Sequence, residues 1–115
     1  MKVTVYHFNW DRTREESEVG NMLFELSFGH NDDDQAREYA KQLLNDSAAY
    51  TPVAEVEVEH IDEVFYLTNS VNDGWWKNER VNAFVTHTRS TSVGDLYLLE
   101  DGSVYIVRPI GLLEA

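Results

Sequence analysis

Apolar and polar positions alternate at the start of the chain. Over residues 2–8, Val3, Val5 and His7 fall on one side and Thr4, Tyr6 and Phe8 on the other. A period of two puts successive side chains on opposite faces of a pleated backbone, which predicts a strand. A polar run over residues 11–18, ending near Gly20, reads as a solvated connection. Alternation then resumes, with Met22, Phe24, Leu26 and Phe28 facing one way and Asn21, Glu25 and Ser27 the other. This predicts a second half-buried strand over 21–28, antiparallel to the first.

The period changes after that. Ala36, Tyr39, Ala40, Leu43 and Leu44 recur at the i, i+3, i+4, i+7, i+8 spacing of an amphipathic helix reaching about Asp46. Asp32, Asp33 and Asp34 stand where a cap and the positive end of the helix dipole favour carboxylates. Pro52 lacks an amide and marks a strand beginning or an edge. From Val53 a third strand is predicted, with Ala54, Val56 and Val58 inward and Glu55, Glu57 and Glu59 outward. Ile61, Val64, Phe65, Thr68 and Val71 fit a second short helix. Residues 64–68 also have strand propensity, and the helix is preferred because a crossover is wanted before the final hairpin. Residues 96–99 and 104–107 flank Glu100-Asp101-Gly102-Ser103, and Asp-Gly between such runs is a strong hairpin signal. Just before it, Ser92-Val93-Gly94-Asp95 supplies a bend whose aspartate can bond nearby amides. The predicted order is β-β-α-β-α-β-β, an α+β domain over 1–115 with two helices on one face of a mostly antiparallel sheet and a C-terminal hairpin.

At 115 residues, 43% hydrophobic and 12% aromatic, the chain can build a single modest core and is too apolar to be disordered. Without Cys there is neither a disulfide framework nor a thiolate metal site, so a reducing cytoplasm is the expected compartment. No run approaches the roughly 18 apolar residues that span a bilayer, and the alternating first residues are not a signal-peptide core. Charge changes the picture most: 21 acidic against 9 basic residues give a net charge of −12. Such a surface repels nucleic acid and anionic membranes, because polyanion binding depends on Lys and Arg displacing counterions. It can instead occupy a basic groove that ordinarily holds nucleic acid.

The candidate chemistry is sparse. His7, His30, His60 and His87 are scattered, with no metal-binding spacing, and His30 beside Asp32, Asp33 and Asp34 reads more simply as part of a helix cap. The aspartates lack the central Gly and terminal Glu of a calcium loop. Arg89-Ser90-Thr91-Ser92 lacks a nucleophile elbow, and no phosphate-cradling Gly-rich loop occurs, so neither catalytic residues nor a cofactor is expected. Trp75 and Trp76, beside Lys77 and Arg80, present either a base-stacking platform or core packing. Together with Arg89, Ser92 and Asp95 they form an alternative site for a small ligand or nucleotide. The leading candidates are the acids themselves: Asp32, Asp33, Asp34, Glu38, Glu55, Glu57 and Glu59, with Glu15, Glu16 and Glu18 adding to the field. Residues two apart on a strand project at about 6.6 Å intervals, close to about 6.8 Å for every second phosphate step of a duplex.

Leu67-Thr68-Asn69, Trp75-Trp76-Lys77-Asn78 and Arg89-Ser90-Thr91-Ser92-Val93-Gly94-Asp95, followed by Tyr105, Val107 and Gly111, resemble a group of short bacteriophage and plasmid proteins, including those with YodL-like C-terminal domains. The resemblance covers about the last half of the chain. It implies a mobile-element accessory protein and brings no catalytic residues. Joined to the charge, it leads to the expectation of a non-enzymatic interaction protein. Its partner would be a host protein with a basic surface, in a restriction or CRISPR-type defence system; a homodimer is compatible with the sequence.

Overall fold

The computed structural model describes residues 1–9, 17–28, 32–69, 74–85 and 88–115, without the side chains of 17–20 and 28. Strand β1 (Lys2–Phe8) is followed by helices α1 (Ser17–Phe28) and α2 (Asp33–Leu43), strand β2 (Tyr50–Glu57), helix α3 (Asp62–Thr68) and a 3₁₀ turn (Trp75–Lys77). Strands β3 (Val81–Ala83), β4 (Leu96–Leu99), β5 (Val104–Val107) and β6 (Leu112–Glu114) complete one antiparallel six-stranded sheet in the order β3-β2-β1-β4-β5-β6. The α+β class and the closing hairpin are as the sequence predicts, and β4 and β5 have the predicted bounds. Among the described residues no helix is long and apolar enough to cross a membrane.

The stretch 21–28 is helical, not a strand. Alternation groups Phe24 with Met22 and Leu26, yet Phe24 is 48% exposed while Leu23, Leu26 and Ser27 are buried. Their three- and four-residue spacing is that of one helix face, and Met, Leu and Glu favour helix. The same helix includes residues 17–20, expected to be a connection.

Register decides which side chains share a face. Val3, Val5, Ala54, Val56, Tyr97 and Val107 lie on one face, under Val64 of α3 and Trp75. Tyr6, Leu96, Val104 and Ile106 lie on the other, against Leu23 and Leu26 of α1 and Ala36, Ala40 and Leu43 of α2. The two predicted helices therefore sit on opposite faces rather than one. A sheet with apolar residues on both sides needs cover on both, and β4 and β5 have no polar face. Only the β1–β2–β3 end of the second face carries polar side chains: Lys2, Thr4, Glu55, Glu57 and Asn82.

β2 begins at Tyr50 and ends at Glu57, earlier at both ends than predicted, which leaves Glu59 beyond the strand. A bulge interrupts its pairing with β1, Val5 facing Ala54 and Tyr6 facing Pro52, so Val53 is the extra residue. Pro52 is tolerated because β3 pairs only with Ala54 to Val56. Asp32 caps α2, its carboxylate accepting from Gln35 N at 2.8 Å. Residues 70–73 of the predicted second helix and its end, with Glu15, Glu16, His30 and His87, lie outside the described residues.

Gly94 has a φ of +96°, and a Cβ there would collide with the Ser27 Oγ of α1. Left-handed backbone costs a non-glycine residue about 1–2 kcal/mol before any clash. Gly94→Ala is therefore expected to destabilise the fold by at least about 2 kcal/mol. Urea unfolding followed by circular dichroism measures it; Gly102→Ala, where a Cβ would meet nothing within 4 Å, isolates the backbone contribution.

Candidate functional site

The segment 88–95 is held in place by polar contacts from five directions. The carboxylate of Asp95, a fully buried residue, accepts four hydrogen bonds. Its Oδ1 takes Arg89 Nη2 at 2.7 Å and Phe8 N at 3.0 Å; its Oδ2 takes Arg89 Nη1 at 2.7 Å and Ser92 N at 2.8 Å. The two guanidinium bonds form a bidentate pair, the strongest geometry for such ions. Arg89 also donates to Ser90 O, Ser92 Oγ and Phe8 O, and its Cζ lies 4.4 Å from the centre of the Phe8 ring. Gly94 N bonds Val107 O and Val107 N bonds Asp95 O, tying the segment to β5. The Tyr50 hydroxyl donates to Gly94 O at 2.6 Å, Trp75 Nε1 to Arg89 O at 3.1 Å, and Thr91 N to Thr68 O at 2.9 Å.

A chain of buried hydroxyls continues from there. Thr68 Oγ1 donates to Val64 O at 2.8 Å and Thr91 Oγ1 donates to Thr68 Oγ1 at 2.7 Å. The Thr91 proton is thereby committed, so at 3.1 Å from His7 Nε2 it acts as acceptor, which puts the imidazole proton on Nε2. Nδ1 then accepts from Thr88 Oγ1 at 3.4 Å. Burial holds the His7 pKa down at about 4, with Arg89 adding to the effect and the Asp95 carboxylate, 3.8 Å away, opposing it. His7 is accordingly neutral at pH 7. The Tyr97 hydroxyl lies beside Thr68 but makes no hydrogen bond of standard geometry, and burial pushes its pKa up.

This arrangement explains the Arg-Ser-x-Ser-Val-Gly-Asp string as packing chemistry. Trp75 is buried, its ring edge-on to His7 at 5.9 Å, while Trp76 is half-buried and crosses Trp75 at 77°. The two indoles do not form a parallel stacking surface. Arg89, Ser92, Asp95 and Trp75 do come together, but their polar atoms face one another. His7 and Thr91 were missed as members of this cluster. The apolar alternation of β1 gave His7 an inward side, which is the signal that could have found it.

The acidic candidates are brought together only in part. Asp32, Asp33, Asp34 and Glu38 occupy the exposed start of α2, which packs against β5 and β6. Arg37 pairs with Asp34 at 2.9 Å and Arg108 with Asp33 at 3.7 Å. Glu55, Glu57 and Glu59 lie on β2 and just past it, toward the opposite edge and the opposite end of the sheet. There Glu55 is 3.9 Å from Lys2 Nζ, and Glu63, 3.4 Å from Arg80, accepts from the amides of Glu59 and His60. Those two amide bonds hold the Glu63 carboxyl below its usual range. Glu100 Oε1 accepts from Lys2 N at 2.6 Å. Among the described residues no cluster suited to a metal ion occurs. Comparison with protein-family models, curated protein sequences and solved structures found no match.

Replacing Asp95 by Asn leaves the Arg89 charge without its partner and two amides without a carboxylate. Arg89 keeps part of its side chain in water, so the loss is that of charge-assisted hydrogen bonds, about 1.5–3 kcal/mol, and Asp95→Asn is expected to lower unfolding free energy by that order, read by urea titration. His7 adds a pH dependence. Its folded pKa lies below the unfolded value of 6.5, so between pH 6.5 and about 4 the unfolded chain binds a proton that the folded one does not. Stability should fall as pH drops through this window, by up to about 1.4 kcal/mol per pH unit. The slope between pH 6.5 and 5 should disappear in His7→Gln.

Proposed function

We propose that this protein is a non-enzymatic interaction domain that binds a basic protein surface through the open, acidic end of its sheet. The observation that carries the reading is the polar part of the second face, which no described helix covers. Glu55 and Glu57 project there from β2, outside the cover of α1 and α2. With Glu59, Glu63 and Glu100, five carboxylates gather at this end against the side-chain cations Lys2 and Arg80. Exposed pairs of this kind are worth under about 1 kcal/mol, so a partner's Lys and Arg exchange with them readily. A strand also fixes its carboxylates in a rigid row, which lowers the ordering entropy lost on binding. The commitment of Arg89, Asp95, His7 and Thr91 to internal bonds supports a role without catalysis.

In its fuller form the proposal makes the partner a nucleic-acid-handling host protein, of a restriction or CRISPR-type defence system, whose basic groove the acidic face fills in place of nucleic acid. The resemblance to phage and plasmid accessory proteins and the net charge of −12 support it. The acids at the start of α2 stand over the β5–β6 side of that face, away from Glu55 and Glu57 on β2.

The test is affinity capture from a bacterial lysate at low and high salt, with mass spectrometry of the bound proteins. Binding is expected to weaken with salt, to be competed by added duplex DNA, and to be lost in Glu55→Lys/Glu57→Lys/Glu59→Lys. It should persist in Asp32→Lys/Asp33→Lys/Asp34→Lys. Unchanged capture by the first triple variant removes the mechanism.

A further inference from the structure

The sheet ends at β6, an edge strand with no further described strand beside it. Arg108 N bonds Gly111 O and Ala115 N bonds Val104 O, so the inward-facing groups of this hairpin belong to Gly111, Leu113 and Ala115. By the alternation of an antiparallel ladder, the N–H and C=O of Leu112 and of Glu114 point away from β5. Arg37 Nε, reaching 2.9 Å to Glu114 O, confirms that direction and covers that one oxygen. Both groups of Leu112 and the amide of Glu114 meet no partner among the described residues.

Beside this edge lies a cleft of about 320 Å³ between α3 and the β5–β6 turn. Ile61, Phe65 and Leu112 line it together with Tyr66, which is 81% exposed, and the adjoining turn carries Ile110, 94% exposed. Asp62 and Arg108 also line it: Arg108 is already paired with Asp33 at 3.7 Å, whereas Asp62 has no cation within ion-pair distance among the described residues. The Leu112 and Glu114 side chains point to the same face as the cleft, because they pair with Val107 and Tyr105.

We propose that β6 and this cleft receive an extended segment of a partner protein, added as a seventh strand to the six-stranded sheet. Main-chain bonds to Leu112 supply the affinity in such strand addition, and pockets for alternate side chains supply the choice of sequence. The residue opposite Leu112 directs its side chain into the cleft and is apolar and branched. Of the residues two positions to either side, which share that face, one stands opposite Glu114 and the other beside the cleft that Asp62 lines, so they are lysine or arginine. Charge decides between this occupant and a second copy of the chain, which would set another net charge of −12 against the first. The surface is separate from the acidic end of β2, and the inference does not rest on the reading of that end.

The probe is a short fluorescent peptide of the pattern lysine-threonine-valine-threonine-lysine, with binding read by anisotropy at physiological salt. Three changes are each expected to weaken binding by at least about tenfold: N-methylation of the valine amide, which keeps side chains and charge but removes the main-chain donor; Tyr66→Ala, at an exposed position; and Leu112→Pro, checked for folding by circular dichroism. Glu55→Lys/Glu57→Lys should bind the peptide within about twofold of the unaltered protein, which separates this site from the one proposed above. Equal binding of the N-methylated peptide would mean simple charge attraction and overturn the proposal. A concentration-dependent dimer in sedimentation that is lost in Leu112→Pro would also overturn it, giving the edge to a second copy.

Discussion

One carboxylate holds the junctions of this fold. Asp95 begins the hairpin, binds the last amide of β1, orders the turn that precedes β4 and neutralises Arg89, which itself reaches back to the end of β1. A buried charge is tolerated only when its lone pairs and its charge are both answered. Here all four acceptor positions are filled, and the cation keeps partial access to water, its side chain 38% exposed. The hydroxyl chain through Thr91 and Thr68 extends the same logic to α3, so a helix of seven residues, short for independent stability, is fixed by its last turn as well as by Val64.

The parts legible in the sequence are those where one physical signal acted alone. Asp-Gly between two β-rich runs gave the hairpin, and Asp32 followed by a 3.6-residue apolar period gave α2. The strand reading of 21–28 failed where two periods fit one stretch. Met22, Phe24, Leu26 and Phe28 satisfy a period of two, while Leu23, Leu26 and Ser27 satisfy a helix, and only packing against Ala36, Ala40 and Gly94 selects between them. β3 and β6 were not foreseen because strands of three residues carry too little pattern and exist through their neighbours. The placement of helices on both faces was written in β4 and β5, where Leu96-Tyr97-Leu98-Leu99 and Val104-Tyr105-Ile106-Val107 leave no polar side.

The candidate site was legible in its members more than in its role. Arg89, Ser92, Asp95 and Trp75 do meet, but as an internal brace. Which way a polar side chain turns depends on long-range pairing, and the bonds from Phe8 to Asp95 and from His7 to Thr91 span more than eighty residues. The acidic residues divide for a similar reason. Sequence counts charge, whereas the sheet order sends β2 and α2 to different edges and leaves two small fields in place of one.

The extra residue at Val53 sets the phase of all that follows it in β2. Tyr50 faces the same side as Phe8 and joins the core under α1 and α2. Uninterrupted alternation would send Ala54 and Val56 to that side and turn Glu55 and Glu57 into the apolar layer beneath α3 and Trp75. By inserting a half-step, the bulge lets a single strand feed both hydrophobic layers in succession and still keep its carboxylates in water. The location of the β2 carboxylates is thus a consequence of parity, fixed by one residue too many between Pro52 and Ala54.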